Sequence, residues 1–193
     1  MALNDSAVMI PGQGFIHLAP VATPEPDDYV NPASPWENLG HTSIEDNVTI
    51  TRDGGDSEIK GTWQNPNLRE RREPVNFIVN FTAHQFDDTV LGLYFGGGDD
   101  TVAGRFGVTT TTGATERAMM IRIVDGGQSV GLYVPKVSIT SEDDAEADVE
   151  ELFGFPLKAT VLQVTGSNLI DFVSPNLGTG GATMDEPADE PAA

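Results

Sequence analysis

The sequence contains no cysteine. Disulfides, zinc–thiolate sites and thiol catalysis are therefore excluded, and cysteine usage says nothing about redox compartment. Basic residues are scarce: 10 Lys and Arg stand against 30 Asp and Glu in 193 residues, a net charge of −20 with an isoelectric point near 4.1. A general nucleic-acid-binding surface needs clustered cations, as does a polybasic membrane anchor, and this balance argues against both. Aromatic residues make up 7%, and no apolar run approaches the ~20 residues that span a bilayer. Met1 to Ile10 lacks the basic segment and long apolar stretch of a secretory signal, so the chain reads as made in the cytoplasm. The acceptor tripeptide Asn47-Val48-Thr49 then carries no weight.

What is abundant is turn-forming residues: 21 Gly and 13 Pro in a length that suits one medium domain with tails. That mixture predicts many short strands and little helix. Residues 6–18 read as a short strand, a turn at Pro11-Gly12, and a second strand from Phe15 to Leu18. Five prolines between Pro20 and Pro35 exclude helix and central strand there, because each removes a backbone donor. The 20–43 segment also holds Tyr29, Val30, Trp36 and Leu39, which a solvated linker does not need, so it is expected to be an inter-subunit arm. Val48–Thr51 and Ile59–Trp63 are expected to pair as a hairpin about Arg52-Asp53-Gly54-Gly55-Asp56.

Val75 to Ala83 shows the clearest strand pattern. Val75, Phe77, Val79, Phe81 and Ala83 share one face, and Asn76, Ile78, Asn80 and Thr82 the other. Helix periodicity places Phe86, Val90, Leu93 and Tyr94 on one side of a helix started by Asp87 and Asp88 and stopped by Gly96–Gly98. A second hairpin joins Ala118–Val124 to Ser129–Val134, and Val137 and Ile139 continue the strand beyond Pro135. Residues 142–151 carry seven acids and no base and read as a solvated loop or marginal helix. Leu157–Val164 is the last expected strand. From Gly178 the composition is that of a disordered acidic tail, giving a folded domain over 1–177 and a tail over 178–193.

Catalytic constellations are missing. His17, His41 and His84 are far apart and follow no metal-ligand spacing. His41, Ser43 and Asp46 contain the letters of a triad but lie too close in a turn-like stretch to aim at one another. Gly96–Asp100 follows a helix, whereas phosphate loops precede one. Asp53-Gly54-Gly55-Asp56 lacks the further oxygen donors of a calcium loop. Among 30 acids no carboxylate pair is singled out for glycoside chemistry. Neither an enzyme nor a cofactor or metal site is expected. The one basic cluster, Arg69, Arg71 and Arg72, is expected to meet an acidic patch on another copy of the chain.

The stretch from Met9 to Pro20, the proline-rich loop, and Trp36-Glu37-Asn38-Leu39-Gly40-His41-Thr42-Ser43 together resemble the opening of siphophage major tail proteins, in particular those of phages infecting mycobacteria and related actinobacteria. Arg52–Asp56, Gly61–Asn65, Leu93–Gly98, Gly131–Pro135 and Gly154–Thr160 follow in the family's order, so the resemblance covers about residues 7–172. It implies a mainly β, sandwich- or barrel-like tail tube fold with one flanking helix, shared with the type VI secretion tube subunit. It implies hexameric rings stacked into a hollow tube in the virion tail. Genomic DNA would leave through the lumen without specific binding, with a tape measure protein and a tail terminator as further partners. Some tail proteins of that family add a C-terminal immunoglobulin-like domain; with a short acidic tail in that place, this decoration is not expected here.

Within that reading Tyr29, Val30, Trp36, Leu39, Arg69, Arg71 and Arg72 are the candidates for inter-subunit contact, and Asn76, Asn80 and Thr82 for a lumen wall of net negative charge. Other classes stay open on the sequence: another virion β-protein such as a tail terminator or capsid decoration protein, or a carbohydrate-binding β-sandwich or glycosidase. A sugar-binding face needs an aromatic platform, but Trp36, Trp63 and the three tyrosines are scattered.

Overall fold

Alternating side chains and frequent turns give twelve strands and one helix in the computed structural model, which describes residues 7–99, 102–110 and 113–177. In chain order these are β1 (Gln13–Ala19), β2 (Glu37–Asn38), β3 (Thr49–Gly54), β4 (Ser57–Lys60), β5 (Arg69–Arg72) and β6 (Val75–Ala83). Then come α1 (Asp88–Phe95), β7 (Gly98–Asp99), β8 (Gly107–Val108), β9 (Thr115–Asp125), β10 (Gln128–Ser141), β11 (Phe155–Val161) and β12 (Asp171–Val173). One antiparallel sheet runs in the order β2-β1-β9-β10-β11-β6-β3, with β12 also on β10. The mainly β class with one flanking helix is as expected.

β10 organises this sheet. One edge pairs with β9 from Gln128 to Ile139, with a register shift between Val134 and Val137. The other edge is divided: Gly131–Tyr133 pair with β12, and Val137–Ser141 with β11. Pro135 sits at the division, where a missing amide donor breaks no needed ladder bond. The bulge turns the sheet around its own core. Ile16 and Leu18 of β1, Met119 and Ile121 of β9, and Leu132 and Val134 of β10 face Val79 and Phe81 of β6 and Leu157 and Ala159 of β11 in one buried cluster. β11 alternates perfectly, its 155, 157, 159 and 161 positions all buried.

The helix begins where expected: the Asp87 carboxylate accepts from the Val90 amide at 2.8 Å, and Gly96 closes the far end with φ +74°. Its buried face is Val90, Leu91 and Leu93. Phe86 departs from expectation. It precedes the first turn, is 70% exposed, and only edges against Phe153 and Phe155 at 6.0 and 5.8 Å, while Leu91 is buried in its stead.

The first expected hairpin does not form. β3 pairs with β6, and β4 pairs with β5, the strand that carries the arginines. Gly54 and Gly55 both have positive φ, +79° and +84°, and a Cβ on Gly54 would lie 2.4 Å from the Pro74 carbonyl oxygen. The chain therefore steps out of the sheet at this point and does not reverse onto itself. Residues 7–12 form no strand; Ile10 and Gly12 donate to the Asp125 carboxylate and the Val124 carbonyl instead. The 142–151 run is loop, and the last expected strand is shifted to Phe155–Val161 and followed by β12. The expected acidic tail lies outside the described residues.

Because Val90 is fully buried and Phe86 is not, Val90→Asp is expected to cost about 3–5 kcal/mol through an unpaired buried charge. Phe86→Ser is expected to cost no more than about 1 kcal/mol. Urea denaturation of the two variants checks this, and equal losses would place the helix wrongly.

Candidate functional site: the assembly surfaces

The second face of the β1-β9-β10 region is covered by the proline-rich arm of the same subunit. Register aligns His17, Met120, Tyr133 and Asp171 in one cross-sheet row and Phe15, Arg122, Gly131 and Val173 in the next. Onto these rows the arm lays Tyr29 and Trp36, forming a second buried cluster with Ala19, Ala118, Met120 and Tyr133. Tyr133 donates its hydroxyl to the Thr23 carbonyl at 2.7 Å, Trp36 donates Nε1 to the Pro24 carbonyl at 3.3 Å, and the two rings meet edge-on at 6.1 Å. The Tyr29 hydroxyl donates to the Glu25 carboxylate at 2.6 Å. Burial, then that carboxylate, holds the Tyr29 phenol far above the ordinary tyrosine range; Tyr133 is raised by burial and then by Glu25 and Asp171.

Tyr29 and Trp36 are thus buried in this second cluster of their own subunit, and Leu39 in its main core, with exposures of 2, 7 and 2%. They can reach a neighbour only if the arm lifts off. The reason is local: Ala118, Met120 and Tyr133 form an apolar face that needs cover, and the arm is the nearest chain. Val30 is half-buried and stays at the surface. Sequence reasoning recognised the arm's apolar residues as buried types and had no means of knowing which copy buries them.

The polar face of β6 continues across the sheet. Thr49 and Thr51 of β3, Ile78 and Asn80 of β6, Lys158 and Thr160 of β11, and Ser138 and Thr140 of β10 align in register on one surface. Of the three wall candidates, Asn76 is exposed, Asn80 half-buried and Thr82 buried. Thr82 is closed off because the Ser43 amide donates to its carbonyl at 2.9 Å, bringing residues 42–46 over it. The neighbouring hydroxyls from β10 and β11 were not identified from the sequence. Their alternation was visible, but which strands adjoin β6 is set by non-local pairing.

At the β6 C-terminus lies an open groove of about 670 Å³. Its lining includes Glu45, Asp46, Asp143, Asp144, Glu150 and Glu151, with no Lys or Arg. The loop bearing these acids is anchored: Tyr94 donates its hydroxyl to the Asp143 carbonyl at 2.7 Å, and His84 donates Nδ1 to the Phe153 carbonyl at 3.0 Å. No group of three or more His, Asp or Glu that could hold a metal ion occurs among the described residues. At the other end of β6 projects the β4–β5 hairpin. Every residue from 56 to 74 is exposed, Arg69, Arg71 and Arg72 among them, and Trp63 is wholly exposed. The structure does not bring the arginines near the arm or near the wall candidates Asn80 and Thr82 in any described contact.

The sheet ends in two open edges, the six-residue β3, exposed at every position, and the short β2. An open-edged sheet with a polar second face suits assembly better than solitary solution. A family model described as phage tail tube protein matches residues 1–184. The chain belongs to the phage tail tube protein family. The major tail protein Gp23 of Mycobacterium phage D29 is 35% identical over 176 residues, covering 84% of this chain and 88% of that protein. Its counterpart Gp23 from Mycobacterium phage L5 is 33% identical over 176 residues with the same coverage. These matches bear out the resemblance carried by the motifs, and give this tail tube protein a structural role in the virion tail and not an enzymatic one.

Two expectations follow from the arm's packing. A Cβ at Gly131 would lie 2.4 Å from the Tyr29 ring, so Gly131→Ala is expected to displace the arm and cost about 1–3 kcal/mol. Limited proteolysis should then cut between residues 20 and 36, where the parent resists. His17 is buried, its Nδ1 has no hydrogen-bond partner among the described residues, and burial followed by the Arg122 guanidinium holds its pKa below the ordinary 6.5. The unfolded chain therefore takes up this proton first. The contribution of neutral His17 is complete above about pH 6.5 and is lost as pH falls from there through the lower folded-state value. His17→Gln is expected to flatten the fall in thermal midpoint between pH 7 and 5; an unchanged slope would contradict it.

Proposed function

We propose that this tail tube protein assembles into hexameric rings, stacked into the tube through which genomic DNA is ejected. The observation that carries the reading is the pair of open sheet edges beside a polar, hydroxyl-rich face. Pairing β3 of one copy with the β2 side of the next about a rotation axis removes both edges and closes a barrel too wide for side chains to fill. The surface bearing Asn76, Asn80, Thr49, Thr51, Thr140 and Thr160 then becomes the wall of a water-filled lumen.

This wall differs from a simply acidic one. Lys136 is paired with Glu116 at 2.9 Å, and on the same face Lys158 offsets Asp53, so hydroxyls and amides dominate. Without a cationic surplus the wall offers no counterion-release gain for holding phosphates, which suits DNA that must slide. In this reading the lumen contacts the tape measure protein before ejection, and a tail terminator caps the last ring. Arg69, Arg71, Arg72 and Val30 are the surface candidates for contact between copies.

Electron microscopy of the concentrated protein is expected to show tubes with sixfold end views. Those tubes are expected not to retain duplex DNA at physiological salt. A protein that stays monomeric at all concentrations, or tubes that bind DNA tightly with a steep salt dependence, would overturn the reading.

A further inference from the structure

The proline-rich arm is built as a lid. Its own bonds hold it in shape: Trp36 donates Nε1 to the Pro24 carbonyl and so joins its two ends, the Tyr29 hydroxyl donates to Glu25, and the Val30 amide donates to Asp28. Among the described residues only two hydrogen bonds tie residues 20–36 to the sheet beneath, from the Ala22 amide to the Pro135 carbonyl and from the Tyr133 hydroxyl to the Thr23 carbonyl. Both lie at the start of the arm. Ala22 has φ +60°, and no other described non-glycine residue has a positive φ. A self-bonded loop with few ties and a strained hinge opens locally more readily than the sheet it covers.

The groups under the lid make that opening sensitive to protons. His17 stands between Asn38 of β2 and Met120 of β9, is 7% exposed, and its Nδ1 has no partner among the described residues. Arg122 follows two residues along β9 on the same face, and its Nε is likewise buried and unpartnered among them. The carboxylates around this pair are engaged or distant. Asp171 of β12 shares the His17 row, but two strands intervene, about 14 Å, and it accepts from Asn168. Glu25 accepts from Tyr29, Glu37 of β2 lies opposite Leu18 and so on the other face, and Asp27 and Asp28 are exposed. A proton on His17 therefore places a second cation beside Arg122 in a space that holds little water.

We propose that the arm is a proton-sensitive lid: protonation of His17 opens it in mild acid and uncovers the apolar face of Ala118, Met120 and Tyr133 while the rest of the sheet stays folded. With the lid closed, burial and then Arg122 hold the His17 pKa below 6.5; with the lid open the imidazole meets water and returns toward that value. The open form takes the proton first. The closed-to-open ratio is constant above about pH 6.5 and falls below it, by at most about tenfold per pH unit, until the closed-state value is passed. Exposed carboxylates titrate near pH 4, so a window from about pH 7.5 to about pH 5.5 isolates the imidazole. The lid is a property of the single subunit and does not depend on the tube.

Trp36 is one of two tryptophans, and the other, Trp63, is wholly exposed, so Trp63→Phe leaves one reporter inside the lid. In dilute full-length protein with that change, solvent exchange of the Trp36 indole N–H is measured against the same protein carrying His17→Gln, which cancels the intrinsic pH dependence of exchange. The ratio of the two rates is expected to be flat above about pH 6.5 and to rise several-fold by about pH 5.5. The buried amides of β11 are expected to show no such rise. Arg122→Gln is expected to weaken the rise, because a neutral neighbour lets the closed lid accept the proton more easily. A flat ratio throughout would overturn the inference. So would an equal rise in β11, which would make the event global unfolding. If His17→Gln does not fold, the parent is compared with Arg122→Gln, and equal pH dependence in the two would overturn it.

Discussion

The structure depends on one strand that must satisfy three neighbours. β10 gives one edge to β9 from Gln128 to Ile139 and divides its other edge between β12 and β11, and the break falls at Pro135. The peptide groups around the division are not left idle. The Pro135 carbonyl accepts from Ala22 at 3.0 Å, and the Lys136 carbonyl accepts from Leu162 at 2.9 Å. The same bulge that ends one pairing and begins the next also ties down the start of the arm. A straight β10 would leave two half-sheets with their apolar faces open; the bend lets them close on Val79, Phe81, Leu157 and the helix.

From this bend comes a subunit with two kinds of surface. One face of β1-β9-β10 is apolar enough to need the arm as a lid, and the lid is held by directed bonds from the Tyr133 hydroxyl to the Thr23 carbonyl and from the Ala22 amide to the Pro135 carbonyl as well as by packing. The polar face of β6 and β11 needs no lid. Its hydroxyls and amides are at ease against water, and a water-filled channel is such an environment. The division between lidded and open faces is therefore a division between what the subunit completes alone and what it leaves to its neighbours.

The excess of acid acquires a geometry in the same way. A net charge of −20 spread evenly would only repel copies from one another. Here four of the ten cations lie on the exposed hairpin at one end of β6, interleaved with Glu58 and Glu70, and a dense group of carboxylates sits at the other.

Much was legible in the sequence because it depends on neighbours along the chain. The alternation in Val75–Ala83, the Asp87 cap and Gly96 stop of the helix, the turn at Gly126-Gly127 and the exclusion of regular structure from the proline-rich arm are all local, and they are seen. So were the motifs, in order, that carried the family. What the tertiary structure decided is pairing and occupancy. Val48–Thr51 and Ile59–Trp63 look like partners because they are close in sequence, yet β6 and β5 offered better ones, and two left-handed glycines sent the chain outward. Phe86 matched the helix period but fell before the first turn. Tyr29 and Trp36 read as residues needing burial, and only the fold shows that their own sheet buries them. Periodicity states which side chains must leave water; which surface receives them is a long-range choice, fixed when the bulged β10 brings distant strands together.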